Sequence, residues 1–584
     1  MHKTATSLAA LLAAALFTTP TFAQKADFKP VTDAVLANPD PGDWLHLNRT
    51  QDQQRFSPLN QINKSNVKNL RMAWARGLPN GTQESVPIVY QGVMYLYAPG
   101  ASVQAVDATN GDLLWEYVRD YPKDVNAQAA RNKSLGIYED MIYFAAPDGY
   151  LVGIDAKTGK ERWATKVDDG GQVAGGILVA EGKVITNRTC IEGTRPQCFI
   201  AAHDAKTGKE AWRFHTTASA DEPGGDTWGK MDSDKRAASP WGLPGSYDPK
   251  RKAIYFGIAN PDPYTRLRRH GRYDGVPFVS PVELYANSTV AIDINTGKLK
   301  WYYQELPGDD WDADHNQERI LAKVKLKPDP KHVKWIADDV KKGEEREVVM
   351  TVAEGGGMFV VDRDTGKFIW AKPFPYDVPD FNISKVDTKT GQTHVNVDKL
   401  FKADGDTRLG CFHNTRGLWS IAYNPKNTSL YVPFQDQCIS MTANEKAKTG
   451  WGPRKGLMRP GIDPNKYMNL AKIDMSTGEM KILHSQAQAS ASSALVTAGD
   501  LLFWGDQNRR LRAFDADNGK VLWEGVVGGM VMNSMITYSV KGKQYVMVFT
   551  GEGQSVSAGP LGLTQTSMPK AVRGHNSVFV FALP

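Results

Sequence analysis

One nine-residue pattern recurs along this chain and restricts its fold more than any other feature: Asp, two residues, Thr or Asn, Gly, three residues, Trp. It reads DATNGDLLW at 107–115, DAKTGKERW at 155–163, DAKTGKEAW at 204–212, DINTGKLKW at 293–301, DRDTGKFIW at 362–370 and DADNGKVLW at 515–523. A seventh copy, DMSTGEMKI from Asp474, has Ile482 where Trp would stand. Each copy follows a short apolar run, such as YLVGI or LRAF, and leads into another. Between two such runs the pattern is a hairpin turn, in which Asp bonds the backbone ahead of it and Gly supplies a positive φ. The Trp then begins the next strand, where its flat ring can dock between neighbouring sheets.

Two further apolar runs precede each turn, for example SVPIVYQG and VMYLYAP before the first copy. Four strands per unit, repeating at about 40 to 50 residues, is the signature of a propeller blade. LRMAW, ending at Trp74, begins without a turn, and NSVFVFALP at the C-terminus ends without one. Pairing the two would close the ring. The expected fold class is therefore all-β, an eight-bladed β-propeller with Trp-docking repeats, as one domain over 24–584. The intervals Asp204 to Asp293, 89 residues, and Asp362 to Asp474, 112 residues, exceed one blade. The excess reads as loops covering one face, where a site needs walls.

The first 23 residues carry one early lysine, Lys3, a ten-residue apolar run from Leu8 to Phe17, and small residues at Thr21 and Ala23. This is the pattern of a secretory leader cut after Ala23. The apolar run is too short to span a bilayer, and no later stretch is long and apolar enough. An exported, periplasmic protein without a membrane span is expected. Net charge is +6, from 70 basic and 64 acidic residues, a near balance that gives no footprint for nucleic acid. The densest basic run, RLRRHGR at 266–272, reads as a solvated loop.

Four cysteines in an exported chain predict two disulfides. Of three possible pairings, proximity favours Cys190 with Cys198 and Cys411 with Cys438. No CxxCH occurs, so the chain attaches no c-type haem of its own.

The stretch GDDWDADHNQ at 308–317 crowds Asp309, Asp310, Asp312 and Asp314 around Trp311. An EF-hand loop does not account for it: His315 stands where Gly is required, and Leu321 where the bidentate Glu is required. A solvated acidic turn is the plain alternative. Asp312 lies 11 residues after Trp301, and Glu84 lies 10 after Trp74, spacings that place both near the axis of a propeller.

The repeat, the leader and the WDAD segment together resemble the quinoprotein alcohol dehydrogenases, periplasmic eight-bladed propellers that use pyrroloquinoline quinone (PQQ) and a metal ion. The resemblance runs from DWLHLNRTQDQQRFSPLNQI at Asp43 to the C-terminus. It implies that Asp312 is the catalytic base and that Glu192 in RTCIEG and Asn260 in GIANPDPY are metal ligands, together with Asp312. Asp314 resembles an extra metal carboxylate found in the lanthanide-using branch, so the ion is calcium or a lanthanide. Trp241 in ASPWG corresponds to the indole beneath the quinone, with Ser239 beside it, and Glu84 in TQESVP and Lys133 in RNKSL to contacts at the cofactor's edge.

Two departures stand out. Ala127-Gln128 occupies the place of an adjacent Cys-Cys pair, and Glu354 in VAEGGG falls where Lys or Arg usually contacts the quinone oxygens. The first resembles the sorbose-oxidising and deoxynivalenol-oxidising types. The implied activity is oxidation of a secondary or sugar-type alcohol, with the 3-hydroxyl of deoxynivalenol or a sorbose-like polyol as candidates. Electrons would pass to a separate soluble cytochrome c or a dye. The rival reading is a non-catalytic envelope propeller that binds proteins.

Overall fold

The computed structural model describes residues 28–168, 175–379, 381–413, 415–553 and 574–584. The expected leader and its cleavage point lie outside the described residues. Among the described residues, eight sheets of four or five strands follow one another along the chain. Seven span 88–117, 136–166, 178–215, 246–304, 320–372, 422–486 and 495–526, and the eighth joins 531–582 to strand Arg71–Gly77. That last sheet is the expected closure: Trp74 pairs with Val580 across antiparallel strands Arg71–Gly77 and Ser577–Ala582.

The first strand of a sheet is short and buried, as in Ile88–Tyr90 and Leu178–Ala180, whereas fourth strands such as Leu113–Tyr117 and Glu161–Lys166 are largely exposed. Apolar clusters fill each junction between successive sheets. One of them unites the seventh, eighth and first sheets through Phe503, Val531, Val580, Leu96 and Val106, so the succession of sheets returns on itself. This is a β-propeller, held chiefly by apolar faces pressed between neighbouring sheets.

The repeat supplies the junctions. In each turn the Asp carboxylate caps the backbone: Asp293 Oδ1 accepts from the backbone N–H groups of Asn295 and Thr296 and from the Thr296 hydroxyl, each at 3.0 Å. The Trp sits inside the outer strand rather than at its start, and its ring lies on the turn glycine of the next sheet. The indole N–H of Trp115 donates to Ala156 O at 3.1 Å, that of Trp212 to Ile294 O at 2.8 Å, and that of Trp301 to Arg363 O at 3.2 Å. Trp74 does the same with Ala108 O at 3.2 Å, across the closure. A Cβ at Gly297 would lie 2.7 Å from the Trp212 ring, so only glycine admits the indole there. The series lapses after the fifth sheet. There Trp370 is covered by the added strand Trp335–Ile336, Gly478 faces Val333, and Gly519 faces Leu483 beside the substituted Ile482.

A polar strap at 51–55, which sequence polarity would place in solvent, links several of the sheets. Gln51 donates to Val179 O of the third sheet, Gln53 to Gly245 O beside the fourth, and Gln54 to Leu321 O of the fifth, each at 2.9 Å. Arg55, fully buried, reaches Ala494 O at 2.8 Å and Met535 O of the eighth sheet. Amide and guanidinium donors serve here because the strap meets main-chain carbonyls on or beside the unpaired edges of the sheets.

The two long intervals are not plain loops, as the sequence suggested. The first holds helix Arg266–His270 and the pair Ala237–Ala238 with Pro261–Asp262. The second holds a hairpin, Ile383–Val386 with Thr393–Val395, turned by a further Asp387–Gly391 copy of the motif without Trp, and a three-stranded sheet of Thr407–Gly410, Gln437–Ala443 and Trp451–Met458. Both disulfides form as proximity favoured: Cys190 with Cys198 and Cys411 with Cys438. No helix among the described residues is long and apolar enough to cross a membrane.

Candidate active site

The four aspartates at 309–314 divide into two jobs. Asp309 accepts from the backbone N–H groups of Trp311 at 2.6 Å and Ala313 at 2.8 Å, and Asp310 from those of Arg266 at 2.6 Å and Phe401 at 2.7 Å. These two shape the turn and are spent on it. Asp312 and Asp314 are left over.

The turn is also held from below, and here the reading of RLRRHGR as a solvated loop is corrected. Arg266 and Arg269 are buried; Arg266 donates to Gly308 O and Arg269 to Asp309 O, both at 2.7 Å. Arg269 also pairs with the fully buried Glu283 at 2.6 Å, which balances its charge. Three neighbouring arginines therefore read as a surface run, while the helix turns two of them inward.

Asp312 stands at φ 59°, and its side chain keeps 19% of its surface exposed. Its carboxyl is pushed well above the usual range by enclosure in protein and next by the charge of Asp314. Asp314 is raised in the same way, by burial and then by the charge of Glu354; the Trp241 indole and the backbone N–H of Asn260 oppose the rise. Its Oδ1 is buried without a partner. Glu354 is pushed up to about 8 by burial and the charge of Asp312. Three carboxyls thus crowd one another, and Arg454 touches one of them, its Nη1 lying 3.1 Å from Asp312 Oδ2.

The other expected residues surround this cluster. Asn260 is buried, and its amide nitrogen donates to Pro261 O at 3.1 Å. Ser239 donates to Arg188 O at 3.0 Å and accepts from the backbone N–H of Cys190 at 3.3 Å, tying the Trp241 loop to the disulfide stretch that carries Glu192. The Glu192 backbone N–H donates to Asp262 Oδ1 at 2.7 Å, while its carboxylate lies 3.5 Å from Arg268. Glu84 and Lys133 form a buried ion pair. Asn187, donating to Pro240 O at 2.6 Å, connects that side to the Trp241 loop.

The structure thus brings Asp312, Asp314, Asn260 and Trp241 into one cluster, with Glu192 joined to it through Asp262. Glu84 and Lys133 lie on a separate flank. Among the described residues no three His, Cys, Asp or Glu side chains form a ready-made metal cage. The donor chemistry nevertheless fits a hard cation: an orphaned carboxylate oxygen, carboxyls that resist ionising together, and a buried amide.

Sequence reasoning missed Asp262, His413 and Arg454. Asp262 stands in the quoted NPDPY, and an acid flanked by two prolines beside Asn260 was the available signal. His413 and Arg454 gave none, because they reach Asp312 from a turn 101 residues away and a strand 142 residues away.

A family profile described as the PQQ glucose/ethanol/alcohol dehydrogenase β-propeller domain matches residues 44–373 and 467–546. The chain belongs to this PQQ-dependent dehydrogenase family. It is 30% identical over 610 residues to the quinohemoprotein alcohol dehydrogenase ADH-IIG of Pseudomonas putida, covering 97% of this chain and 80% of that one. It is 29% identical over 549 residues to a 1-butanol dehydrogenase (cytochrome c) of Thauera butanivorans, covering 88% and 75%. Among solved structures, a europium-containing methanol dehydrogenase superposes with a TM-score of 0.78 at 25% identity, covering 94% of this chain and all of that one. This PQQ-dependent dehydrogenase therefore carries its acid cluster on a family scaffold. The interval 374–466, which holds His413 and Arg454, lies outside the family match.

Proposed function

We propose that this dehydrogenase oxidises a secondary or sugar-type alcohol to a carbonyl, with Asp312 as the base. The observation that carries the reading is the Asp312–Asp314–Glu354 cluster: three carboxyls that burial and mutual charge hold above their ordinary range, with one buried oxygen unpaired. Such a cluster is costly unless a cation joins it. Asp312, Asp314, Asn260 and Glu192 would hold the ion, calcium or a lanthanide, with Glu192 released from Arg268. Trp241, Ser239, Glu84 and Lys133 would hold PQQ. When bound, the cation and quinone supply Lewis-acid polarisation and a two-electron acceptor.

This chain's own residues do the rest. Asp312 Oδ2, at the exposed edge of the cluster, accepts the hydroxyl proton as the substrate's carbon–hydrogen bond breaks. A nearby cation would keep Asp312 ionised at neutral pH, reversing the upward push of its neighbours. Asp309 and Asp310 hold the turn so that the base does not swing away, which is worth rate through orientation.

The eight sheets are read as eight blades of one domain over 24–584, exported to the periplasm after cleavage behind Ala23. The substrate candidates are the deoxynivalenol 3-hydroxyl and a sorbose-like polyol, and electrons would leave to a soluble cytochrome c or a dye. The cytochrome c in the name of the Thauera relative supports that acceptor. The test is dye reduction by purified protein supplied with PQQ and either calcium or lanthanum, across a panel of primary, secondary and polyhydroxy alcohols. Cation- and PQQ-dependent turnover is expected. Failure of both metals to give PQQ uptake or turnover would refute the reading.

A further inference from the structure

The first side chain beyond Asp312 comes from the part of the chain outside the family match. Strand Trp451–Met458 carries Arg454, and its sheet is clamped over the aspartate turn at several points. The Cys411–Cys438 disulfide ties the sheet to the segment carrying His413, whose Nε2 lies 2.8 Å from Asp312 O. The backbone N–H of Phe401 donates to Asp310, and the backbone N–H of Tyr264 donates to Thr449 O at 2.8 Å. This segment is thus a wall of the site rather than a remote decoration.

Arg454 lies with its guanidinium 4.5 Å from the Trp451 ring centroid, and Trp451 in turn lies 4.8 Å from the Tyr264 ring. Its side chain is 36% exposed. A guanidinium carries five N–H donors in a fixed fork. Among the described residues Asp312 is the one hydrogen-bond acceptor it meets. The base thus has a forked donor set beside its reactive oxygen, with two aromatic faces next to it.

We propose that Arg454 is a specificity-determining residue that binds an oxygen on the carbon adjacent to the reacting carbinol, selecting alcohols with a vicinal hydroxyl or ring oxygen over simple alkanols. This rests on Asp312 being the base. A hydroxyl bonded to Asp312 Oδ2 sits about one hydrogen-bond length from the carboxylate, and Arg454 Nη1 is already 3.1 Å from the same oxygen. Oxygens on neighbouring carbons are also spaced by about a hydrogen-bond length, so the second one falls within reach of the guanidinium. Tyr264, half-buried against the core residue Trp451, then offers an apolar ring to the carbon skeleton. A simple alkanol leaves the fork without that acceptor, and selection of this kind is worth about tenfold or more.

The experiment compares kcat/KM for trans-1,2-cyclohexanediol and for cyclohexanol in the PQQ- and cation-loaded enzyme, using the native chain, Arg454→Lys and Arg454→Ala. PQQ uptake is followed separately by absorbance titration. The native enzyme should prefer the diol. The diol-to-cyclohexanol ratio should fall about tenfold in Arg454→Ala, chiefly through KM for the diol, with Arg454→Lys between. A ratio unchanged within twofold in both variants would overturn the proposal, even if both rates fell together and the pH profile moved. That pattern would assign Arg454 to charge balance at Asp312. A native chain that takes up no PQQ would sink the dehydrogenase reading itself, whereas uptake and turnover with an unmoved ratio would sink only the role of Arg454.

Discussion

His413 Nε2 lies 2.8 Å from the main-chain carbonyl of Asp312, a residue held in the left-handed region at φ 59°. Because the partner is a carbonyl, Nε2 must carry the proton and donate. Burial pushes His413 down to about 3, which keeps the ring neutral. The strain of a non-glycine residue at positive φ is thus secured by a group from a distant turn of the chain.

That backbone dictates the choice of substitution at the base. Asn shares the tolerance of Asp for the left-handed region, whereas Ala does not. Asp312→Asn should therefore keep the turn and lower kcat by about 10²- to 10⁴-fold. Steady-state dye reduction, with PQQ titration confirming cofactor uptake, checks it.

Glu354 makes the metal-free protein sensitive to alkali. Its folded-state value, about 8, lies above its ordinary 4.5, so between these values the unfolded chain binds fewer protons than the folded one. Stability then falls as pH rises through that window. Glu354→Gln should raise the melting temperature of metal-free protein at pH 8 by about 1–3 °C, with the difference vanishing near pH 5. Thermal unfolding at both pH values measures this.

Asp314 Oδ1 is the buried carboxylate oxygen without a partner in the cluster. Titrating PQQ-loaded, chelator-treated protein with lanthanum or calcium should raise its melting temperature, the stabilisation reaching about 2.7 kcal/mol at 100-fold excess over Kd. Asp314→Ala should weaken lanthanum more than calcium, because losing one negative charge costs a trivalent ion more. Calorimetric titration of both ions compares the two proteins.

Gly297 and Gly461 separate packing from backbone strain. Both have positive φ, 70° and 80°, but a Cβ at Gly461 meets nothing within 4 Å, whereas at Gly297 it meets the Trp212 ring. Gly461→Ala should cost about 1–2 kcal/mol, and Gly297→Ala about 1–3 kcal/mol more. Denaturant unfolding of the two variants gives the difference.

The amino-acid sequence by itself determined the ring. The repeat is local: Asp caps its own turn, Gly lies flat under a Trp, and each copy states the same contact, so periodicity exposes it without coordinates. The paired ends and the two disulfides were legible for the same reason. The convergence of Asp312, Asp314, Asn260 and Trp241 was legible only through resemblance to a family.

Tertiary structure alone decided the rest. Gln51, Gln53 and Arg55 look solvated until the sheet-edge carbonyls that need their donors are in place. Arg266 and Arg269 look like surface charge until a short helix turns them under the aspartates. Arg454 and His413 carry no local signal, because a side chain's role at a site far along the chain depends on which sheet edge folds over it. Burial and long-range charge act through space, and spacing along the chain does not record them.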